Sequence, residues 1–262
     1  MGPVFAQMGQ NADIRRRGSS SSDAVQLLPH GVASYARTYA DGYLSTWHDH
    51  PRHQLVYAVA GLMTAEAGGT SWAVPAGSGL IVPAGMLHEI RMAGEVQLQS
   101  LYIDPAEPEA EAMAECRAVL VGPLLARLIA ALCEMNNPWP LPPRAHHLSR
   151  LILIELGAAP KSPLSLPYPG DARLRRVCDA LMDSPGSGQT IDHWAALAGM
   201  SRRSFTRRFQ QETGLSFGHW RDRLRCQIAL RAEARGEKME QVAQRLGYAS
   251  RQSLQGMMKR VV

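Results

Sequence analysis

The sequence lacks any apolar run long enough to cross a membrane, and its four cysteines include no closely spaced pair. A membrane-spanning helix needs about 20 apolar residues, so we expect no membrane partner. Isolated cysteines do not match the CxxC pairs of zinc ribbons or redox motifs. Three arginines near the N-terminus precede no apolar segment, unlike a secretory signal. We therefore expect a cytoplasmic protein with free thiols.

Acidic charge is scarce in the last third of the chain. Residues 171–262 carry 17 Lys and Arg against 9 Asp and Glu, whereas the preceding residues carry 11 against 14. Basic charge concentrated in one segment favours a polyanionic partner, because binding releases counterions from that partner. Nucleic acid is thus the partner that composition suggests.

Composition divides the 262 residues into five segments. They are a disordered leader (1–25), a region of short strands (26–104), a helical segment (105–157), a proline-rich linker (158–170) and an all-helical domain (171–262). Short apolar runs broken by Gly and Pro predict a β-sandwich or a small barrel. The expected fold class is therefore α+β and multidomain, with flanking helices beside the barrel.

The segment 105–157 has helical periodicity that Gly122 and Pro123 should interrupt, and a further helix is expected over 146–156. Helices this apolar must cover other apolar surface. The outside of the barrel is one candidate and a second subunit is the other. We expect a homodimer.

Thr190–Gly214 reads as two short helices joined by a tight turn. Ser201 is suited to cap the second helix, and Gly199 supplies the turn before it. Phe205 and Phe209, four residues apart, should anchor that helix inward. Arginines then face outward, as in a helix that enters the DNA major groove. The alternative is an ordinary helical hairpin with a solvated charged face.

Residues 238–262 repeat this pattern with one extra turn residue. Gly247 corresponds to the turn glycine and Ser250 to the capping serine. Leu254 and Met258 take the positions of the two phenylalanines. One domain thus contains two helix-turn-helix units.

Three histidines and a glutamine stand out in the strand-rich region. His48 and His50 share one face of a strand, Gln54 has the same parity, and His88 follows in a later segment. Three interpretations remain open at this point. The cluster binds a divalent transition metal, forms hydrogen bonds to an organic effector without metal, or is a polar cluster with no ligand role.

Two spaced motifs carry a first resemblance. His48–x–His50–x3–Gln54–x6–Gly61, followed by Gly77–x5–Pro83–x–Gly85–x2–His88, is similar to the paired motifs of the cupin superfamily. In metal-binding cupins the corresponding residues hold a divalent metal inside a small barrel. The sequence departs from that pattern at Gln54, where a glutamate is usual, and at Met92, where an asparagine is usual. The resemblance implies an effector site, with metal as its possible occupant.

A second resemblance covers about ninety residues. The stretches LAGMSRRSFTRRFQQETGLSF and VAQRLGYAS resemble the DNA-binding domain of the AraC/XylS family of transcriptional regulators. The resemblance implies that the outward residues of both second helices contact DNA. These residues are Ser201, Arg202, Arg203, Thr206 and Arg207 in the first unit, and Ser250, Arg251, Gln252 and Gln255 in the second.

The sequence therefore predicts a transcriptional regulator, not an enzyme, that binds operator or promoter DNA under control of a small-molecule or metal effector. An activator of this kind would also contact RNA polymerase. The alternative function is a metal-dependent cupin enzyme with an accessory helical domain. A nucleoid-type protein without an effector would explain the charge but would leave the barrel histidines without a role.

Overall fold

The computed structural model describes residues 23–261, which form two compact units. The sheet unit comprises residues 23–68 and 72–163. The helical unit comprises residues 69–71 and 164–261. No helix in the described part of the chain has both the length and the apolar character that a membrane crossing requires.

Most of the predicted leader, residues 1–25, lies outside the described residues. Its last three residues belong to a short helix, α1, at Asp23–Gln26. The boundary between the two units, at Pro163 and Leu164, falls inside the predicted linker 158–170.

The strands lie mostly within 26–104, the region where short strands are predicted. They are β1 (Val32–Tyr39), β2 (Leu44–His48), β3 (His53–Ala67), β4 (Thr70–Pro75), β5 (Ser78–Val82), β6 (His88–Ile103), β7 (Arg117–Leu120) and β8 (Ser165–Pro167). In the sheet unit the order is β1-β6-β3-β4, with β2 also on β6 and β5 between β3 and β7. The pairs β1–β6, β2–β6, β3–β5, β3–β6 and β5–β7 are antiparallel. The expected α+β fold with a cupin-like sheet domain and a helical domain is confirmed.

Two long strands organise the sheet. β3 has 15 residues and β6 has 16, whereas the sequence predicted short strands in this region. Their register shifts between Ala58 and Leu62, where Gly61 has a φ of 83°. A Cβ on Gly61 would lie 2.3 Å from the carbonyl oxygen of Glu95, so only glycine fits this irregularity. The strand therefore bends here without ending.

The helix predicted ahead of Gly122 is wrong. Residues 110–113 form one 3-10 turn, and Arg117–Leu120 is the strand β7, which pairs with β5. The apolar run Ala118–Leu120 is too short for periodicity alone to distinguish a strand from a helix. The segment is a strand because it pairs with the edge of β5.

Alternation along β3 builds the core on both sides of the sheet. Leu55 packs with the cluster that contains Ile129 and Ile152 of the flanking helices. Val56 faces the opposite cluster, with Leu98 of β6. Because successive side chains point to opposite faces, Gln54 shares the face of Val56. This parity directs Gln54 to the interior of the sheet unit.

Eight further helices follow α1. They are α2 (Pro123–Glu134), α3 (Pro143–Ala158), α4 (Ala172–Asp183), α5 (Ile191–Leu197), α6 (Arg202–Thr213), α7 (Phe217–Ala234), α8 (Met239–Arg245) and α9 (Arg251–Val261). The first two lie in the sheet unit and pack on each other. In the helical unit, Phe209 contacts Phe217 and Trp220, with ring centroids 5.3 and 5.9 Å apart. These rings form the core that fixes α6 against α7.

The two residues beside Pro163 in the predicted linker are each held by their own unit. The amide of Ser162 donates to the carbonyl oxygen of Ala118 on β7, at 2.8 Å. On the other side of Pro163, the Gln227 side chain on α7 donates to the carbonyl oxygen of Leu164, at 2.9 Å. Only Pro163 separates the two anchored residues, so the connection is far shorter than thirteen residues would suggest.

Asp171 fixes the start of α4 against α6. Its carboxylate accepts from the backbone amide of Arg173 at 2.9 Å and caps the helix. It also lies 3.0 Å from Nε of Arg208, which reaches Glu212 as well. Hydrogen bonds from Arg173, with a smaller contribution from Arg208, lower the pKa of Asp171 to about 2. The charged carboxylate is therefore part of the folded structure.

We expect Asp171→Asn to destabilise the protein near neutral pH, because asparagine keeps the cap but loses the ion pairs. The folded pKa lies below the value of about 3.9 for an unfolded aspartate. The stabilisation is therefore full above that pH and is lost as the pH falls towards about 2. Urea unfolding across this range should show a difference between variant and wild type that shrinks with acid. A pH-independent difference, or an equal effect of Asp183→Asn at the other end of α4, would contradict the assignment.

Candidate functional site

The structure brings His48, His50 and His88 together inside the sheet unit. His48 ends β2, His88 begins β6, and these two residues are register partners. The ring centroids of His48 and His88 are 4.2 Å apart, and those of His50 and His88 are 5.0 Å apart. One ring nitrogen from each residue lies within 4.8 Å of the others. Among the described residues, no carboxylate or thiol joins this group.

Backbone carbonyls fix the tautomer of each ring. Nδ1 of His48 lies 2.7 Å from the carbonyl oxygen of Thr46, and Nδ1 of His88 lies 2.8 Å from that of Met86. Nδ1 of His50 lies 2.6 Å from the carbonyl oxygen of Arg52. A carbonyl oxygen only accepts, so each Nδ1 carries the proton. In the neutral rings all three Nε2 atoms are then lone-pair acceptors.

The amide of Gln54 is also oriented by its neighbours. Ser100 donates its hydroxyl to the carbonyl oxygen of Leu55, so its oxygen accepts from Nε2 of Gln54 at 2.9 Å. The same amide nitrogen reaches the hydroxyl of Tyr102 at 3.0 Å. The amide oxygen Oε1 of Gln54 must therefore face Nε2 of His50, at 3.0 Å. Two lone-pair atoms meet at this contact with no proton between them.

Burial keeps the inner histidines neutral. It is the main cause that lowers the pKa of His50, and it lowers the pKa of His88 to about 3. His88 is fully buried, and its Nε2 has no hydrogen-bond partner among the described residues. The lone pair on Nε2 of His88 thus has no donor among the described residues, and that of His50 faces an amide oxygen. Imidazole and oxygen ligands of this kind suit a divalent transition metal, and hydrogen bonds from the other ring nitrogen are typical of metal-binding histidines.

A pocket opens beside this cluster. Its lining contains no Asp, Glu, Lys or Arg. The lining residues are Tyr35, Tyr39, Tyr43, Ser45, His48, Gln54, Val56, Ile90, Met92, Leu98, Ser100 and Tyr102. Sequence reasoning identified His48 and Gln54 but missed the tyrosines. Tyr35 and Tyr39 are four residues apart and so share one face of β1. This even spacing was the signal in the sequence that could have placed both in the pocket.

In the helical unit, the first predicted helix-turn-helix is formed by α5 and α6. Ser201 caps α6 by accepting from the amide of Ser204 at 3.3 Å, and Gly199 in the turn has a φ of 62°. Phe205 and Phe209 are fully buried, as predicted. The hydroxyl of Thr206 donates to backbone carbonyls of its own helix. Ser201 and Thr206 therefore already use their hydroxyl groups within the helix.

The arginines of α6 fall into two groups. Arg203 and Arg207 lie four residues apart on one exposed face, with no ion-pair partner among residues 23–261. Arg202 is exposed and lies 3.7 Å from Asp192 of α5. Arg208 contacts Asp171 and Glu212 instead, so it braces the domain. The outward arginines are thus available to a polyanion.

The second predicted unit is formed by α8 and α9. Ser250 accepts from the amide of Ser253 at 3.2 Å and so caps α9. Arg251 lies 3.7 Å from Glu240, an arrangement that repeats the pair at the start of α6. Gln252 and Gln255 are exposed.

One detail of this second unit was predicted wrongly. Leu254 is buried as expected, but the second inward residue is Met257, which is fully buried, whereas Met258 is only partly buried. The inward pair is therefore spaced by three residues, where α6 uses four. The two positions lie on neighbouring faces of one helix, so sequence alignment to α6 could not separate them.

Comparisons with known proteins agree on one family. Residues 30–165 match the family described as the AraC-like ligand-binding domain, and residues 194–262 match a helix-turn-helix domain family. The regulator NimR of Escherichia coli is 29% identical over 230 residues, which cover 87% of this chain and 83% of that protein. The regulator RipA of Corynebacterium glutamicum is 31% identical over 88 residues, covering 34% of this chain and 27% of RipA.

Among solved structures, one match is to ToxT from Vibrio cholerae, determined with a bound unsaturated fatty acid. The match has a TM-score of 0.35 and 10% identity, and it covers 88% of this chain and 91% of ToxT. The ligand-binding family alone spans more than half of the present chain. The protein is therefore a member of the AraC family of transcriptional regulators, with an AraC-like ligand-binding domain followed by a helix-turn-helix domain.

Proposed function

We propose that the protein binds specific DNA sequences through α6 and α9, under control of an effector bound in the pocket of the sheet unit. The convergence of three histidine lone pairs beside an uncharged pocket carries the effector assignment. The exposed, unpaired arginines of α6 support the DNA assignment. The alternative of a metal-dependent enzyme gains no support from NimR or RipA, both of which are transcriptional regulators. A regulator acting on chromosomal DNA would work in the cytoplasm.

Arg203 and Arg207 are the residues we expect to contribute most to base recognition, because neither is engaged within the domain. Arg202 and Arg251 begin the two recognition helices, and each would exchange an exposed carboxylate for a DNA phosphate. Exposed ion pairs of this type are worth little, so the exchange costs little. Gln252 and Gln255 offer amide groups suited to adenine. Ser201 and Ser250 cap the two recognition helices, and the hydroxyl of Thr206 is bonded to backbone carbonyls of α6.

The double substitution Arg203→Ala/Arg207→Ala should weaken binding to the preferred DNA by about 1–3 kcal/mol per lost base contact, with the fold unchanged. Fluorescence anisotropy would measure this on duplexes that the wild type selects from a random pool, at several salt concentrations. Arg127→Ala on α2 of the sheet unit removes a comparable exposed charge and serves as the control. Unchanged affinity of the double variant would refute the DNA assignment.

His48, His50, His88 and Gln54 would hold a divalent metal within the effector site. The test of fit is the contact between Oε1 of Gln54 and Nε2 of His50, since two acceptors 3.0 Å apart are poorly matched to each other but suit adjacent ligands of one cation. The unpaired Nε2 of His88 supplies the same evidence independently. A bound metal would offer open coordination positions to an effector. The protein contributes rings held in place by backbone carbonyls.

We expect the wild type, dialysed against excess Zn²⁺, to hold one more equivalent than His48→Ala/His88→Ala. Elemental analysis of both proteins provides the measurement, and His146→Ala, an exposed position on α3, controls for loss of a surface histidine. Equal zinc in all three proteins would leave the histidines as hydrogen-bonding groups of a metal-free organic-ligand pocket.

A second copy of the chain is the partner we propose for α3. Leu151 and Ile154 are 39% and 53% exposed, and His147 and Ala158 extend the same exposed stripe at spacings of four and three residues. This alternation of spacings is typical of helices that pair along a seam. The resulting homodimer would present two helical units to DNA.

Leu151→Glu/Ile154→Glu should convert this dimer to a monomer, because each carboxylate would be buried against apolar side chains. Sedimentation equilibrium gives the mass. His146→Glu, exposed on a different face of α3, is the matched control and should leave the dimer intact. A wild type that is monomeric at all accessible concentrations would refute the proposal.

Coupling between effector and DNA would pass through the short connection at Pro163. Ser162 is tied to β7 and Leu164 is tied to α7, so little slack exists to absorb a shift of either anchor. An effector that shifts the strand β7 would alter the path of the chain into the helical unit. Couplings of this kind are typically about 1–3 kcal/mol.

RNA polymerase would be a further partner if the output is activation.

A further inference from the structure

Every ligand that the chain provides to the metal site proposed above is neutral. Imidazole binds a metal ion in its neutral form, and Gln54 stands where a carboxylate would have supplied one negative charge. Among the described residues, no Asp or Glu belongs to the cluster, and none lines the adjacent pocket. A divalent cation held here would keep both positive charges.

The nearest carboxylates along the sequence do not compensate. Asp49 alternates with His48 and His50 and is exposed. Glu89 follows His88 and lies 4.0 Å from Arg91, with which it forms an ion pair. Alternation along β6 directs Glu89 to the face opposite His88. Neither carboxylate therefore serves as a ligand.

Gln54 offers the metal a neutral amide oxygen, and the orientation of this amide is fixed. Its nitrogen is held by Ser100, whose own hydroxyl proton is directed to the carbonyl oxygen of Leu55. The oxygen of Gln54 therefore remains on the side of His50. A doubly charged ion in a largely buried site is costly unless an anionic ligand neutralises it. The chain leaves that ligand to the effector.

The pocket indicates the remaining features of such a ligand. Tyr39 and Tyr43 lie with ring centroids 4.4 Å apart, and the hydroxyls of Tyr35 and Tyr39 are 3.2 Å apart. Phenol hydroxyls can donate to anionic oxygen atoms. Ile90 and Met92 supply apolar surface in the same pocket. Aromatic and apolar walls around a charged centre suit a flat organic anion.

We infer that the effector is a planar organic anion that binds the metal through two adjacent oxygen atoms, and that Gln54 makes metal and anion bind cooperatively. The inference rests on the metal site of the proposed function. Metal alone binds less tightly, because only water or hydroxide is then left to neutralise its charge. The anion alone binds less tightly because it lacks the metal, and the exposed guanidinium of Arg37, which lies over the ring of Tyr39, is a cation that remains beside the pocket. Each strengthens the binding of the other by the same factor. The protein thereby responds to the two together.

Equilibrium dialysis of the full chain at buffered free Zn²⁺ tests this inference, because a fixed free concentration cancels chelation in solution. The probe is tropolonate, a flat ring with two adjacent oxygens that share one negative charge. Tropone, the same ring with one uncharged oxygen, is the matched control. Tropolonate should lower the free zinc concentration at half-occupancy by about tenfold or more, within the usual range of coupling. Tropone should leave it unchanged.

Gln54→Glu supplies the missing charge from the protein. This variant should reach half-occupancy without tropolonate at a free zinc concentration about tenfold lower than the wild type, and tropolonate should then add little. His88→Ala should bind no zinc at the site in either condition. Circular dichroism would establish that both variants are folded.

The possible outcomes separate the two proposals. If the wild type binds one zinc equally well with and without tropolonate, or if tropone acts as strongly, the cooperative anion is refuted and the metal site stands. An equal zinc affinity of Gln54→Glu and wild type would also refute the role of Gln54. If the wild type binds no zinc in any condition, the metal site itself fails and this inference fails with it.

Discussion

Three hydrogen bonds between histidine Nδ1 atoms and backbone carbonyls determine what the sheet unit can bind. Each spans only two residues, from His48 to Thr46, from His50 to Arg52 and from His88 to Met86. Such local bonds hold as long as the strand ends keep their shape. They leave the Nε2 lone pairs pointing to one place, and the buried pair cannot relieve this by taking up protons, since burial lowers the pKa of both His50 and His88. The proposed metal site and the proposed anionic co-ligand both depend on this constraint.

In the helical unit the corresponding constraint is the division of the arginines between contacts inside the unit and an outward face. The net positive charge suggests a surface covered by cations, yet several of the arginines make contacts within the unit. Arg208 braces Asp171, and Arg225 donates to the carbonyl oxygen of Pro185 while its guanidinium lies over the ring of Tyr248. Those contacts connect the loop before α5 to the turn of the second helix-turn-helix unit. The arginines that still face outward on α6 are chiefly Arg203 and Arg207. The buried Phe205 and Phe209 fix the helix that carries them. A fixed position is what recognition of particular bases requires.

Local patterns predicted the parts of this structure that local physics decides. Strand positions, the caps at Ser201 and Ser250 and the inward phenylalanines follow from spacing and from backbone geometry. The failures have a common origin in pairing over long distances. β7 is a strand because β5 offers a free edge, and Ser100 and Tyr102 meet Gln54 because β3 and β6 pair in one register, in which Gln54 lies opposite Tyr102. The sequence therefore named three histidines and a glutamine, but the residues that orient the glutamine became visible only in the folded sheet.

The tautomers of the three histidines provide the most direct test of this account. Nitrogen-15 NMR of the histidine rings in protein stripped of metal distinguishes a protonated from an unprotonated Nε2. The account predicts that His50 and His88 carry their proton on Nδ1 at neutral pH, with Nε2 unprotonated, and that the neutral ring of His48 is the same tautomer. A proton on Nε2 of His50 or His88, whether in the other tautomer or in an imidazolium ion, would mean that the lone pairs do not converge. It would contradict the central claim.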